Sequence, residues 1–268
     1  MKKRPSFPAS LDATLAKNRP NTLGGMPLAP VASVSSRTKP VPQQSAYQGM
    51  GMDSRAVRAR MVQKLAAQGV DDPRVLAAMG TIERHQFVDS ALANQAYEDT
   101  SLPIGLGQTI SKPGVVARML ELLLETKPDK SEKLGRVLEI GTGCGYQAAV
   151  LSLLASEVYS IERLRGLYDK AHDNLRPLCL ENLHVLFGDG MQGYVKAAPY
   201  AAIIAAAGGE TLPTAWLEQL AIGGRLVAPV VTASAQAQAL MVVDKTSQGI
   251  RQTVLEAVHF VPLKSGVA

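Results

Sequence analysis

The chain has 268 residues, 46% of them hydrophobic and 19% charged, enough for one α/β domain with an appendage and a core of ordinary size. No apolar run approaches the roughly 18 residues of a membrane span, and two cysteines are too few for a disulfide framework. The formal charge of +5 sits at the start: residues 1–50 hold seven basic side chains and one acid, Asp12, so the rest is within one charge of neutral and no groove for nucleic acid is expected.

Residues 1–52 are rich in Pro, Ser, Gly and Gln without a sustained apolar period, which predicts a disordered basic extension. Its first ten residues, MKKRPSFPAS, lead into no apolar stretch, so neither secretion nor membrane anchoring is expected and the cytoplasm is the default compartment. A folded domain is predicted over 53–268. Val57, Met61 and Leu65 fall at helical spacing with Gly69 as a stop, and Asp72 with Pro73 opens a second helix. A third short helix is predicted around SALANQAYED. TSLPIGLGQTISKPG, residues 100–114, shows neither helical nor strand period and reads as a functional loop. The domain thus divides into an N-terminal helical region with this loop, 53–111, and a core, 112–268, that begins with the apolar helix PGVVARMLELLLET.

The core is organised around RVLEIGTGCGY, residues 136–146: a buried parallel strand, a turn of three alternate glycines and a helix start. A dinucleotide loop is spaced G-x-G-x-x-G; here the spacing is G-x-G-x-G. Glu139 precedes the glycines, and EVYSI forms a second strand ending at Glu162, where a carboxylate can accept both hydroxyls of a ribose. Such a pocket suits S-adenosyl-L-methionine, which carries a sulfonium and an amine but no phosphate. A helix over RLRGLYDKAHDNLRPL, strands at LHVLF, YAAIIAA and GGRLVAPVV, a helix at PTAWLEQL, and a closing antiparallel pair of strands complete the pattern. The predicted fold is α/β, a Rossmann-like class I methyltransferase sheet of five βα repeats with a terminal antiparallel hairpin and added N-terminal helices. Cys144 reads as a small side chain in a crowded turn, the four histidines are scattered, and no metal is expected.

GLGQTISKPGVVARMLELL followed by RVLEIGTGCGYQAAVL closely resembles the protein-L-isoaspartate (D-aspartate) O-methyltransferase family, and the likeness continues through VYSIERLRGLYDKA, LFGDGMQGY and LEAVHFVPL, about residues 53–263. The resemblance implies methyl transfer from S-adenosyl-L-methionine, leaving S-adenosyl-L-homocysteine, to the free carboxylate of L-isoaspartyl residues in damaged proteins and peptides. It assigns Ser111 as the active-site hydroxyl and Gln108, Thr109 and Ile110 to the substrate loop. Glu139, Gly141, Thr142 and Gly143 would line the methionine part of the donor, Glu162 its ribose, and Asp189 with Gly190 its adenine end. Simpler roles stand beside these: Ser111 as a helix N-cap, Glu162 as an acid at a helix start, Asp189 as a Gly-Asp-Gly turn. Ala201 stands where the family usually has Asp, and Ala206, Ala207, Gly208 and Gly209 replace a Thr-Ala-Ala-Pro-like segment, which predicts a loosened loop beside the reaction. A related carboxyl methyltransferase with another acceptor and a donor-binding adaptor without turnover are the competing readings. A monomer is expected.

Overall fold

The computed structural model describes residues 54–232 and 237–268; the extension expected over 1–52 lies outside them. Helices α1 (Ser54–Ala67) and α2 (Pro73–Thr81) follow the sequence signals closely. Asp72 caps α2, its side chain accepting from the Arg74 amide at 2.9 Å, and Pro73 occupies the first turn, where a missing N–H does no harm. The predicted third helix is instead a 3-10 segment, Ser90–Gln95, capped by Asp89.

Residues 100–114 are not an irregular loop. They contain a two-stranded antiparallel hairpin, β1 (Leu102–Gly105) with β2 (Gln108–Ile110), in which Leu102 faces Ile110 and Pro103 faces Thr109. Leu106 and Gly107 both take positive φ, 52° and 69°, as a two-residue type I′ turn requires. The apolar helix α3 (Pro113–Leu124) follows, with Lys112 rather than Ser111 at its N-cap and no side-chain cap.

The core sheet contains β3 (Leu134–Ile140), β4 (Ala155–Glu162), β5 (Leu183–Phe187), β6 (Tyr200–Ala205), β7 (Leu220–Thr232), β8 (Ala237–Thr246) and β9 (Gly249–Val258), in the order β5-β4-β3-β6-β7-β8-β9. Pairings from β5 through β7 are parallel, and β7-β8 and β8-β9 are antiparallel. Helices α4 (Tyr146–Leu154), α5 (Arg165–Leu175) and α6 (Thr214–Gln219) make the crossovers. Between β5 and β6 there are only 3-10 turns, Gly190–Gln192 and Val195–Ala197, so the expected run of five βα repeats is interrupted there.

Both sheet faces are covered, which is why the central strands read as unbroken apolar runs. Successive residues feed opposite cores: Val137, Ala202 and Ile204 join the cluster that includes α1 to α4, while Leu138, Ile203 and Trp216 join the other. The chain runs from β3 outward to β5, then returns to place β6 on the other side of β3. The crevice at the carboxyl ends of β3 and β6 is therefore the topological switch point, where ligands of open α/β sheets bind.

Candidate active site

At that switch point lies a cavity with one wall from the β1-β2 hairpin and Ser111, and a second from the glycine loop. Its remaining borders are the end of β4, Gly190, Ala206 with Ala207, and the segment Val261, Pro262 and Lys264. The Ala206 amide donates to Ile140 O at 2.8 Å, holding the ends of β6 and β3 together beneath it.

The glycine loop is shaped by backbone geometry. Gly141, Gly143 and Gly145 have φ of 90°, 59° and 93°, a region that disfavours side chains. Gly145 is the N-cap of α4 and contributes no side-chain cap. Glu162 fastens the turn: its Oε2 accepts from the Gly143 amide and its Oε1 from the Leu164 amide, both at 2.9 Å. Gly190 leaves no room for a Cβ, which would stand 2.6 Å from Ile140 Cγ2. Both Gly190 and Ile140 face the cavity.

Nine of the eleven residues expected in the site meet here: Gln108, Thr109, Ile110, Ser111, Gly141, Thr142, Gly143, Glu162 and Gly190 all line the cavity. Glu139 and Asp189 do not. Strand parity explains Glu139. Val137 points to the helix-covered core, so Glu139, two residues on, points the same way, while Ile140 turns toward the cavity. Glu139 is fully buried, one oxygen accepts from the Ser160 hydroxyl opposite it on β4, and Oε1 meets no hydrogen-bond criterion among the described residues. Burial pushes this carboxyl up to about 8, against the Ser160 hydrogen bond, so it is mostly neutral at pH 7. It is linked to the lining through Ser160, whose hydroxyl is 2.6 Å from that of Thr142, and the cavity-lining Gln147 also acts on it. Asp189 is committed elsewhere: Oδ1 accepts from Met191 N at 2.9 Å and Oδ2 from Gly266 N at 2.7 Å.

Ser111 is not a cap, and among the described residues its hydroxyl has no hydrogen-bond partner. It stands half-buried on the wall facing the glycine loop. The lining contains no histidine and no aspartate. Burial pushes the Cys144 thiol up, so no thiolate nucleophile is offered. The loop after β6 is tied to its neighbours by backbone hydrogen bonds at both of its glycines. Gly208 N donates to Val261 O at 2.9 Å, Leu263 N donates to Gly208 O at 2.8 Å, and Val231 N donates to Gly209 O at 2.9 Å. At Gly208 a Cβ would lie 2.6 Å from Gln238 Nε2, so a larger residue there would require that side chain to shift. Sequence reasoning missed Leu106, exposed at the hairpin tip, and buried Arg84, which donates to Ser111 O at 2.7 Å.

The chain matches the family model of protein-L-isoaspartate(D-aspartate) O-methyltransferase over residues 56–268. It is 60% identical over 219 residues to a protein-L-isoaspartate O-methyltransferase of Methylibium petroleiphilum, covering 81% of each chain. It is 52% identical to one of Leptothrix cholodnii, covering 99% of this chain and 96% of that one. Among solved structures, a protein-L-isoaspartate O-methyltransferase superposes with a TM-score of 0.69 at 28% identity, covering 78% of this chain and 67% of that one. A structure from Plasmodium falciparum, described as a complex with S-adenosyl-L-homocysteine, has a TM-score of 0.67 at 24% identity, covers 77% of this chain and 98% of that one, and shows the shared fold. With the glycine turn, the QTIS strand and these matches together, the chain belongs to the protein-L-isoaspartate(D-aspartate) O-methyltransferase family.

Proposed function

We propose that the cavity at the β3-β6 switch point is where the methyl donor and the acceptor carboxylate of this repair enzyme meet, with the glycine loop and Glu162 on the donor side and Ser111 on the acceptor side. The observation that carries this reading is that these two groups face one another across a single cavity. The chain is an S-adenosyl-L-methionine-dependent methyltransferase of L-isoaspartyl residues in damaged proteins and peptides, as its family is. When bound, S-adenosyl-L-methionine supplies an electrophilic methyl on a sulfonium. The lining fits that group: the glycine turn brings backbone close without a Cβ, Gly190 borders the cavity without a side chain, and the Glu162 carboxylate stands at the wall.

The acceptor carboxylate is ionised at neutral pH, so the absence of a histidine or aspartate from the lining is no obstacle. Ser111, with its hydroxyl uncommitted, donates a hydrogen bond to one acceptor oxygen and leaves the other free to attack. Gln108, Thr109 and Ile110 hold Ser111 at the end of a strand rather than on a loose loop, which preserves alignment. Glu139 acts from behind the wall through Ser160 and Thr142, and Asp189 fixes the 189–192 turn and Gly266 instead of contacting the donor. We read the enzyme as a cytoplasmic monomer that engages neither nucleic acid nor membrane. The near-neutral charge of residues 51–268 speaks against a nucleic-acid groove, and no described helix is long and apolar enough to cross a membrane.

The test is transfer of labelled methyl to two peptides that differ only in carrying L-isoaspartate or L-aspartate, scored as base-labile ester. Label on the isoaspartyl peptide alone is expected. Ser111→Ala should lower turnover while leaving donor affinity unchanged, and a loss of donor binding in that variant would move Ser111 to the wrong side of the cavity.

A further inference from the structure

Arg84 is completely buried, yet it forms no ion pair among the described residues. Its Nε donates to Ala96 O and its Nη2 to Ser111 O, each at 2.7 Å, while Nη1 is buried without a partner. The guanidinium carbon lies 4.8 Å from the centroid of the Tyr146 ring. Ser111 and Tyr146 are both part of the cavity wall, so the cation stands one layer behind that wall and touches it at two points. Burial lowers the guanidinium's pKa, and the carboxylate that acts most against this is Asp99, which is exposed and accepts from Gly114 N.

A buried cation without a counter-ion is unfavourable by several kcal/mol, and two carbonyls and a ring face offset only part of that. A neutral side chain would serve packing at less cost. What the cation supplies is a positive potential that solvent ions cannot screen, placed behind the wall at Ser111 on the acceptor side and at Tyr146 next to the glycine loop. We propose that Arg84 is a positioning residue for the acceptor: it fixes the Ser111 main chain and supplies the charge that selects a carboxylate over a neutral group. This rests on the carboxylate-acceptor reading above. Of the other cations near the cavity, Lys112 and Lys264 are exposed and open to screening by salt, and Arg163, half-buried beside Glu162 on the donor side, is tied to Gly266 O at 2.8 Å.

The experiment compares, by calorimetry on the full chain saturated with S-adenosyl-L-homocysteine, the affinity of an isoaspartyl peptide with that of its isoasparaginyl counterpart, a neutral isostere. The wild type is expected to prefer the acid by about tenfold, equivalent to about 1.4 kcal/mol. Between about 0.05 and 0.5 M salt that ratio should change less than about twofold, because the charge is buried. Arg84→Gln should bring the ratio close to one with affinity for S-adenosyl-L-homocysteine unchanged, and Arg84→Lys should retain much of the preference. An unaltered ratio in Arg84→Gln overturns the proposal, as does a parallel loss of product affinity, which would mark a merely structural role. If Arg84→Gln does not fold, the wild-type salt series decides: a preference that collapses at high salt belongs to the exposed lysines. A wild type that methylates isoaspartyl peptide but shows no acid preference sinks the Arg84 role alone, whereas one that methylates neither peptide sinks the carboxylate reading and the Arg84 role with it.

Discussion

Replacing Glu139 by Gln should make the protein more stable than wild type at alkaline pH and nearly equal to it in acid. The folded-state carboxyl titrates near 8 against an ordinary 4.5, with burial as the largest cause. Below the ordinary value both folded and unfolded chains hold the proton, and this group contributes no pH dependence. Between the two values the unfolded chain releases the proton and the folded one keeps it, so stability falls as pH rises. At about 1.4 kcal/mol per pH unit, the wild type loses on the order of 4 kcal/mol by pH 8 relative to acid. Glutamine keeps the shape and can still accept from Ser160, but it has no proton to lose. For a domain of this size each kcal/mol is worth about 2 to 4 °C, so the gap in melting temperature should widen by roughly 10 °C from pH 5 to pH 8.5. Differential scanning calorimetry of both proteins across that range measures the gap directly. A constant gap would refute the reasoning, because it would mean Glu139 does not keep its proton in the folded state.

Glu162→Gln leaves one of the two amides, Gly143 N or Leu164 N, without an acceptor; a stability loss of about 1 to 3 kcal/mol and weaker binding of S-adenosyl-L-homocysteine should appear in denaturant melts and calorimetry. Gly190→Ala forces a methyl against Ile140, so a melting-temperature drop corresponding to about 1 to 3 kcal/mol is expected together with reduced product affinity, and unchanged values for both would show that the wall yields easily.

Much of this architecture could be read directly because it is written in backbone chemistry. The three glycines of the turn are legible since few other residues take φ of 90°, 59° and 93°, and β3 and β6 are legible because both of their faces are apolar. The hairpin was not. In β1 burial alternates as a strand's should, with Leu102 and Ile104 inward, but the outward positions hold Pro103 and Gly105 instead of polar side chains. The usual period-two signal is erased, and the turn uses Leu106 where Asn or Gly would have announced it. Contacts between distant segments left no local trace either. Nothing near Asp189 predicts its bond to Gly266, and nothing near Arg84 predicts that it would be buried against Ser111 and Tyr146.

These placements share a logic that the residue types alone do not reveal. In the proposed reaction an anionic acceptor and a cationic methyl group cancel their charges, so the transition state is less charged than the reactants, and contacts that pair tightly with either reactant would raise the barrier. Arg163 and Lys264 line the cavity directly, but three other ionisable side chains are held back from it or tempered. Glu139 is mostly protonated and is linked to the lining through Ser160 and Thr142. Glu162 spends one lone pair of each oxygen on a backbone amide, which tempers its negative charge before any ligand arrives. Arg84 is held behind Ser111 and Tyr146 instead of forking directly onto the acceptor, where a bidentate pair would attract the carboxylate and also quench its nucleophilicity. On the hairpin wall the hydroxyls of Thr109 and Ser111 have no hydrogen-bond partner among the described residues, and Ser111, the one placed against the acceptor, directs the carboxylate without neutralising it.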